Sequence, residues 1–199
     1  MSILLKELLK EIEETSPLQV QIYLDMDGVL VDMEEGFKKI SGGLTPKQYE
    51  AKHGKASFWK VINQKDPATR QLKYPNFWLD LAPMPGGAEL WAYIKENFTT
   101  PRPVILSAGQ GASLAQQKTA WIRKHIDPNV KVIIADAGVR KPNYIIQYPQ
   151  GQRVTHVLVD DTQKNINAWN NDAKHQVAIL HTDAGSSIKQ LAKFLPEVK

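Results

Sequence analysis

Over residues 19–24, Val20, Ile22 and Leu24 interleave with Gln19, Gln21 and Tyr23, and this period of two predicts a strand that runs directly into Asp25. Short apolar runs at 103–107, 130–135, 154–160 and 176–180 predict four more strands. Between them, apolar positions recur at three- and four-residue steps over 86–98, 113–125, 162–172 and 184–195, which predicts helices. A further amphipathic helix is predicted over 2–15, started by Ser2 and stopped at Pro17. Strands alternating with helices of this length predict an α/β fold: a doubly wound, Rossmann-like parallel sheet covered on both faces. Such sheets bind ligands at the carboxyl ends of their strands.

Residues 32–83 interrupt that rhythm. They hold three short helical patterns, 33–40, 46–53 and 58–64, and no strand pattern. The expected organisation is therefore a core made of 1–31 and 84–199, with 32–83 inserted after the first strand as a small helical cap that closes over the strand ends.

Composition narrows the chemistry. Hydrophobic residues are 42% of the 199 and charged residues 23%, so the chain carries enough apolar surface for a core. It contains no cysteine, which excludes disulfides, zinc-thiolate and iron-sulfur sites and Cys nucleophiles. The first fifteen residues mix Lys and Glu with leucines, unlike a signal peptide or membrane span, so an unexported, cytoplasmic protein with no membrane partner is expected. Charge is unevenly spread: residues 1–50 carry five Lys/Arg against ten Asp/Glu, and the remainder twenty against eleven. Within 51–75, Lys52, Lys55, Lys60, Lys65, Arg70 and Lys73 face a single acid, Asp66, a balance that attracts anions or simply solvates a helical surface.

Candidate chemistry falls at two predicted strand ends. After the first strand, Asp25 and Asp27 lie two residues apart, on the same side of an extended chain, and Gly28 permits a turn with positive φ. Alone, Asp-x-Asp-Gly also fits a plain turn, an Asx cap or part of a calcium loop. After the run Val157-Leu158-Val159 come Asp160 and Asp161, one of which could cap the helix that follows. Two acidic strand ends together make an oxygen-rich setting suited to a hard cation such as Mg²⁺. Between them, Ser107 ends another predicted strand and can donate a hydrogen bond into the same cleft. Lys118 follows on the next helix, and Arg140-Lys141 lie beyond the third strand, where they contact a phosphate or solvate a loop. Gly109-Gln110-Gly111 is not a dinucleotide fingerprint, because Leu114 occupies the third glycine position, and no phosphate-loop Gly-Lys-Ser/Thr occurs.

In this order, strand-Asp-x-Asp-Gly, strand-Ser, Lys and strand-Asp-Asp resemble the haloacid dehalogenase superfamily of phosphotransferases across about residues 23–162. Within it, DMDGVLVD at 25–32, Phe58-Trp59, FWLDLAPMPGGAEL at 77–90 and KTAWIRKHI at 118–126 are similar to the 5′(3′)-deoxyribonucleotidases. The resemblance implies a Mg²⁺-dependent phosphomonoesterase with Asp25 as nucleophile and Asp27 as general acid and base. It implies phosphoryl oxygens on Ser107 and Lys118, and Mg²⁺ on Asp25, the Asp27 carbonyl and Asp160, with Asp161 in support. Phe58 and Trp59 would stack on a nucleobase, so the implied partner is a small phosphorylated substrate, a nucleotide. The chain departs from the pattern at Ser107-Ala108, where Thr-Ser is common, at Met33, where an aromatic is frequent, and at Thr162, where an arginine is frequent. The alternatives are a nucleic-acid 3′-phosphatase, which the basic surface allows, a sugar-phosphate phosphatase, and a catalytically silent nucleotide or nucleic-acid binding module.

Overall fold

The chain's strand-forming runs make one sheet in the computed structural model, which describes residues 19–136, 138–149, 152–171 and 175–195. The helix expected over 2–15 lies outside the described residues. The strands are β1 (Gln19–Leu24), β2 (Val104–Gly109), β3 (Lys131–Asp136), β4 (Val154–Asp160) and β5 (Gln176–Leu180), all parallel and ordered β3-β2-β1-β4-β5. β1 is central. From it the chain winds outward through β2 and β3, then returns to its other side for β4 and β5, so the order reverses between β1 and β4.

Alternation along each strand divides the core into two layers. Ile22, Leu24, Ile105, Val157, Val159 and Ile179 face one side, against Leu90 and Ile94 of α4 (Gly87–Asn97), Trp121 and Ile122 of α5 (Ala112–His125) and Leu191 of α7 (Ala184–Leu191). Tyr23, Val104, Leu106 and Leu158 face the other, against Trp169 of α6 (Gln163–Asn170) and the partly buried Ile145 and Ile146. Each fully buried aliphatic side chain contributes roughly 1.5–3 kcal/mol. The doubly wound α/β expectation therefore holds, with both faces covered.

Residues 32–83 add no strand to this sheet. They form α1 (Met33–Ser41), α2 (Pro46–His53) and α3 (Ser57–Ile62). Asp32 caps α1 by accepting from the Glu35 N–H at 2.9 Å, and Thr45 with Gln48 forms a capping box on α2. Phe37 is buried among Tyr49 and Phe58, whose ring centroids lie 5.6 and 6.0 Å away, which gives the three helices a small aromatic centre. The segment leaves and returns side by side: Asp32 N–H donates to Ala82 O at 2.9 Å, and Met84 N–H to Leu30 O at 2.8 Å. The start of α4 lies hard against this stem, because a Cβ on Gly87 would sit 2.9 Å from Val29 O. Trp121 of α5 also donates its Nε1–H to Leu81 O at 2.8 Å, so the stem is fixed to the core. Among the described residues, no helix is long and apolar enough to cross a membrane.

Candidate active site

The reversal of strand order opens a crevice beyond the carboxyl ends of β1 and β4, the place where parallel sheets expose free backbone groups to a ligand. Leu24 pairs with Val159, and Asp25 N–H extends the ladder by donating to Val159 O at 2.9 Å, which sets Asp25 beside Asp160. Gly28 then turns the chain with φ +75°, and a Cβ there would lie 2.1 Å from Asp161 Oδ2. Only glycine tolerates both the backbone angle and the carboxylate above it. Oxygens of Asp25, Asp160 and Asp161 all lie within 4.8 Å of one another.

Two buried lysines balance this charge in different ways. The Lys141 ammonium lies 2.9 Å from Asp25 Oδ1 and 2.6 Å from Asp160 Oδ2. It is carried by a 3₁₀ turn (Lys141–Tyr144) that Pro142 helps to fix. Asp160 is held further by the Thr162 N–H at 2.8 Å and by Asn165 Nδ2 at 3.0 and 3.1 Å. Burial pushes the Asp25 carboxyl well above the usual range; Lys141 opposes this, and the neighbouring charges of Asp160 and Asp27 add to it. Asp161 is raised by burial and by Asp160. Burial works against the Lys141 charge, yet Asp25 and Asp160 outweigh it and hold its pKa above the ordinary lysine value.

Lys118 is wholly buried on α5. It donates to Asp27 Oδ2 at 2.5 Å, Ser107 Oγ at 3.0 Å and Ala108 O at 2.8 Å, which engages all three of its N–H groups. The ring of Trp78 covers the ammonium at 4.3 Å from its centroid. Ser107 is also wholly buried. For Lys118 to hold a phosphoryl oxygen, as the sequence reading expects, one of these protein partners has to be exchanged. Asp27 Oδ1, in contrast, is buried with no hydrogen-bond partner.

Asp25, Asp27, Lys141, Asp161 and Asn165 line a cavity of about 770 Å³, and Phe58, Trp59 and Trp78 form an aromatic wall of it. The rings of Phe58 and Trp59 are 4.7 Å apart, and Trp59 and Trp78 6.0 Å apart. Lys47 and Lys164 also border this space, whereas Ser107 and Lys118 lie behind its wall. A second cavity of about 580 Å³, bordered by Trp91, Phe98, Arg102 and Tyr148, contains none of these site residues.

Of the expected site residues, Asp25, Asp27, Asp161, Phe58 and Trp59 thus line one cavity, while the buried Asp160 is joined to it through Lys141, and Ser107 and Lys118 through Asp27. Sequence reasoning left Lys141 open and missed Asn165 and Trp78. The signal available for Lys141 was its place shortly after β3 in a Lys-Pro turn; Trp78 lay within the 77–90 stretch without being singled out, and Asn165 carried no signal. The all-oxygen set of Asp25, Asp160 and Asp161 suits a hard divalent cation such as Mg²⁺. Asp27 lies outside this oxygen set, and its Oδ2 accepts from Lys118.

No family model and no curated protein matches the chain. Solved structures similar to it include a haloacid dehalogenase-like hydrolase from Burkholderia xenovorans LB400, at 16% identity and TM-score 0.48, covering 89% of this chain and 98% of that one. Another is the Pnkp1/Rnl/Hen1 complex, at 11% identity and TM-score 0.45, where 83% of this chain spans 47% of that one.

Proposed function

We propose that the protein is a Mg²⁺-dependent phosphomonoesterase of the haloacid dehalogenase type, acting on nucleoside monophosphates as a 5′(3′)-deoxyribonucleotidase does. The observation that carries this reading is the division of labour between two aspartates two residues apart. Asp25 faces Lys141 in a buried acidic cluster, and Asp27 is held by Lys118 with its other oxygen unpartnered.

A phosphate monoester is an anion, and a carboxylate approaches its phosphorus only where charge is screened. Lys141 supplies part of that screening beside Asp25. A bound Mg²⁺, held by Asp25, Asp160 and the Asp27 carbonyl with Asp161 in support, would supply the rest by neutralising charge on the phosphoryl oxygens. Asp25 then forms a bond to phosphorus as the bond to the leaving oxygen breaks, giving an aspartyl-phosphate. Asp27 gives its proton to the leaving alkoxide and takes one back from the water that attacks the intermediate, which frees Asp25 and inorganic phosphate. The aromatic wall of Phe58 and Trp59 suits a stacked base, and Lys47 and Lys164 at the border suit an anionic ligand.

The test is phosphate release from a panel of nucleoside monophosphates, with Mg²⁺ and with a chelator, alongside a sugar phosphate and a 3′-phosphorylated oligonucleotide. Mononucleotides are expected to be turned over with Mg²⁺ alone, and Asp25→Asn is expected to lower the rate by at least about a thousand-fold. No turnover by the native protein, or full turnover by Asp25→Asn, rejects the reading. Preference for the sugar phosphate or the oligonucleotide replaces the substrate assignment.

A further inference from the structure

Among the described residues, Lys118 is the one group that hydrogen-bonds the Asp27 side chain, which is 29% exposed and has its other oxygen unpartnered. The orientation of Asp27 therefore depends on where the Lys118 ammonium is kept. Ser107 and Ala108, at the end of β2, hold it from the core side. From the side of the inserted segment it is held by Trp78, 3% exposed, whose ring lies 4.3 Å from the charge. An ammonium removed from water needs such compensation on every face, and an aromatic face provides it without competing for an N–H. Trp78 also packs against Trp59 at 6.0 Å and edge-on to Phe77 at 5.0 Å, so it is fixed by its neighbours.

We propose that Trp78 is a positioning residue for the proton transfer: its ring keeps Lys118 on Asp27, and so sets the carboxyl that protonates the leaving oxygen. This rests on the phosphomonoesterase reading and goes beyond it by assigning a function to a side chain that reaches Asp27 only through Lys118. Replacing the ring by an aliphatic side chain uncovers the ammonium to water, and Asp27 loses its fixed direction. The damage falls on one event, the transfer of the Asp27 proton to the departing alkoxide as the phosphorus–oxygen bond breaks and the Asp25–phosphorus bond forms. An aryl phosphate whose nitrophenolate leaves as a stable anion does not need that proton.

The experiment measures single-turnover release of the leaving group with Mg²⁺, so that later hydrolysis of the aspartyl-phosphate does not enter. The substrates are a nucleoside monophosphate and p-nitrophenyl phosphate; the proteins are wild type, Trp78→Leu and Trp78→Phe. Trp78→Leu is expected to slow release from the nucleotide by about ten- to thirty-fold and from the aryl ester by less than about three-fold. Trp78→Phe keeps an aromatic face and is expected to recover most of the loss. Equal losses on both substrates, or a raised KM with an unchanged rate, overturn the inference while the phosphatase reading stands. Failure of the wild type to release either leaving group removes both. If Trp78→Leu does not fold, Trp78→Phe decides alone: its weaker ring is expected to lower the nucleotide-to-aryl rate ratio by about two- to four-fold, and an unchanged ratio overturns the inference.

Discussion

Lys118 and Lys141 are both buried ammonium groups paired with aspartates at or just beyond strand ends, yet their surroundings differ. Lys118 sits behind the cavity wall, gives three hydrogen bonds to the fold and lies under an indole ring. Its aspartate, Asp27, keeps 29% of its side chain exposed. Lys141 borders the cavity between two carboxylates that are 8% and 0% exposed. The first arrangement fixes a direction. The second compensates charge at a place where a divalent cation and a phosphate would bring more charge of both signs. The two lysines thus differ in whether the ammonium is shared between one carboxylate and the dipoles and ring of the fold, or between two buried carboxylates.

Removing each lysine separates the two cases. Lys141→Met leaves Asp25 and Asp160 unneutralised in the interior and is expected to cost about 3–5 kcal/mol, whereas Lys118→Met leaves the partly solvated Asp27 and is expected to cost about 1–3 kcal/mol. Added Mg²⁺ should restore much of the lost stability in Lys141→Met and little in Lys118→Met. Urea denaturation of both variants with and without the ion reads this, and equal rescue of the two would dissolve the distinction.

A smaller effect is expected at Asn165, whose amide spans both oxygens of Asp160 at 3.0 and 3.1 Å. Asn165→Ala should cost about 1–3 kcal/mol and weaken Mg²⁺ binding, read by the stabilisation that titrated Mg²⁺ confers. Unchanged binding would confine Asn165 to packing.

The smallest effect concerns the strap that carries Lys141. Ile146 N–H donates to Tyr23 Oη at 2.9 Å, and Tyr23 Oη meets His156 Nδ1 at 3.1 Å. Burial, with a lesser push from His175, holds the His156 pKa below its ordinary value. The unfolded chain therefore binds a proton that the fold refuses. Stability should fall as pH drops below about 6.5, the unperturbed histidine value, and level off below the depressed folded pKa. His156→Gln should flatten that slope. Hydrogen exchange at acidic pH should quicken over 141–149 before α5, which carries Lys118; simultaneous loosening would break the comparison.

How much of this was legible from residues alone depends on the range of the forces involved. The spacing of Asp25, Asp27 and Gly28 and the apolar run before Asp160 and Asp161 are local, and they locate the acidic strand ends without a structure. The role of Lys118 as a phosphate ligand comes from the family resemblance and not from its spacing to Ser107. In the fold, side chains on α5 lean toward the helix N-terminus, so Lys118 returns to the end of its own strand and meets Asp27 there. Lys141 lies close to Asp160 in sequence, but its second partner, Asp25, is on a strand made much earlier in the chain.

The chain's periodicities and turn residues by themselves determine the strands, the helices and the acidic tips, because backbone hydrogen bonding and side-chain alternation act over a few residues. Only the tertiary structure decides that β1 lies beside β4, that Lys141 rather than Lys118 faces Asp25, and that Trp78 covers Lys118. The pairing of those charges is set by which strands are neighbours, and strand order is a property of the whole packed sheet.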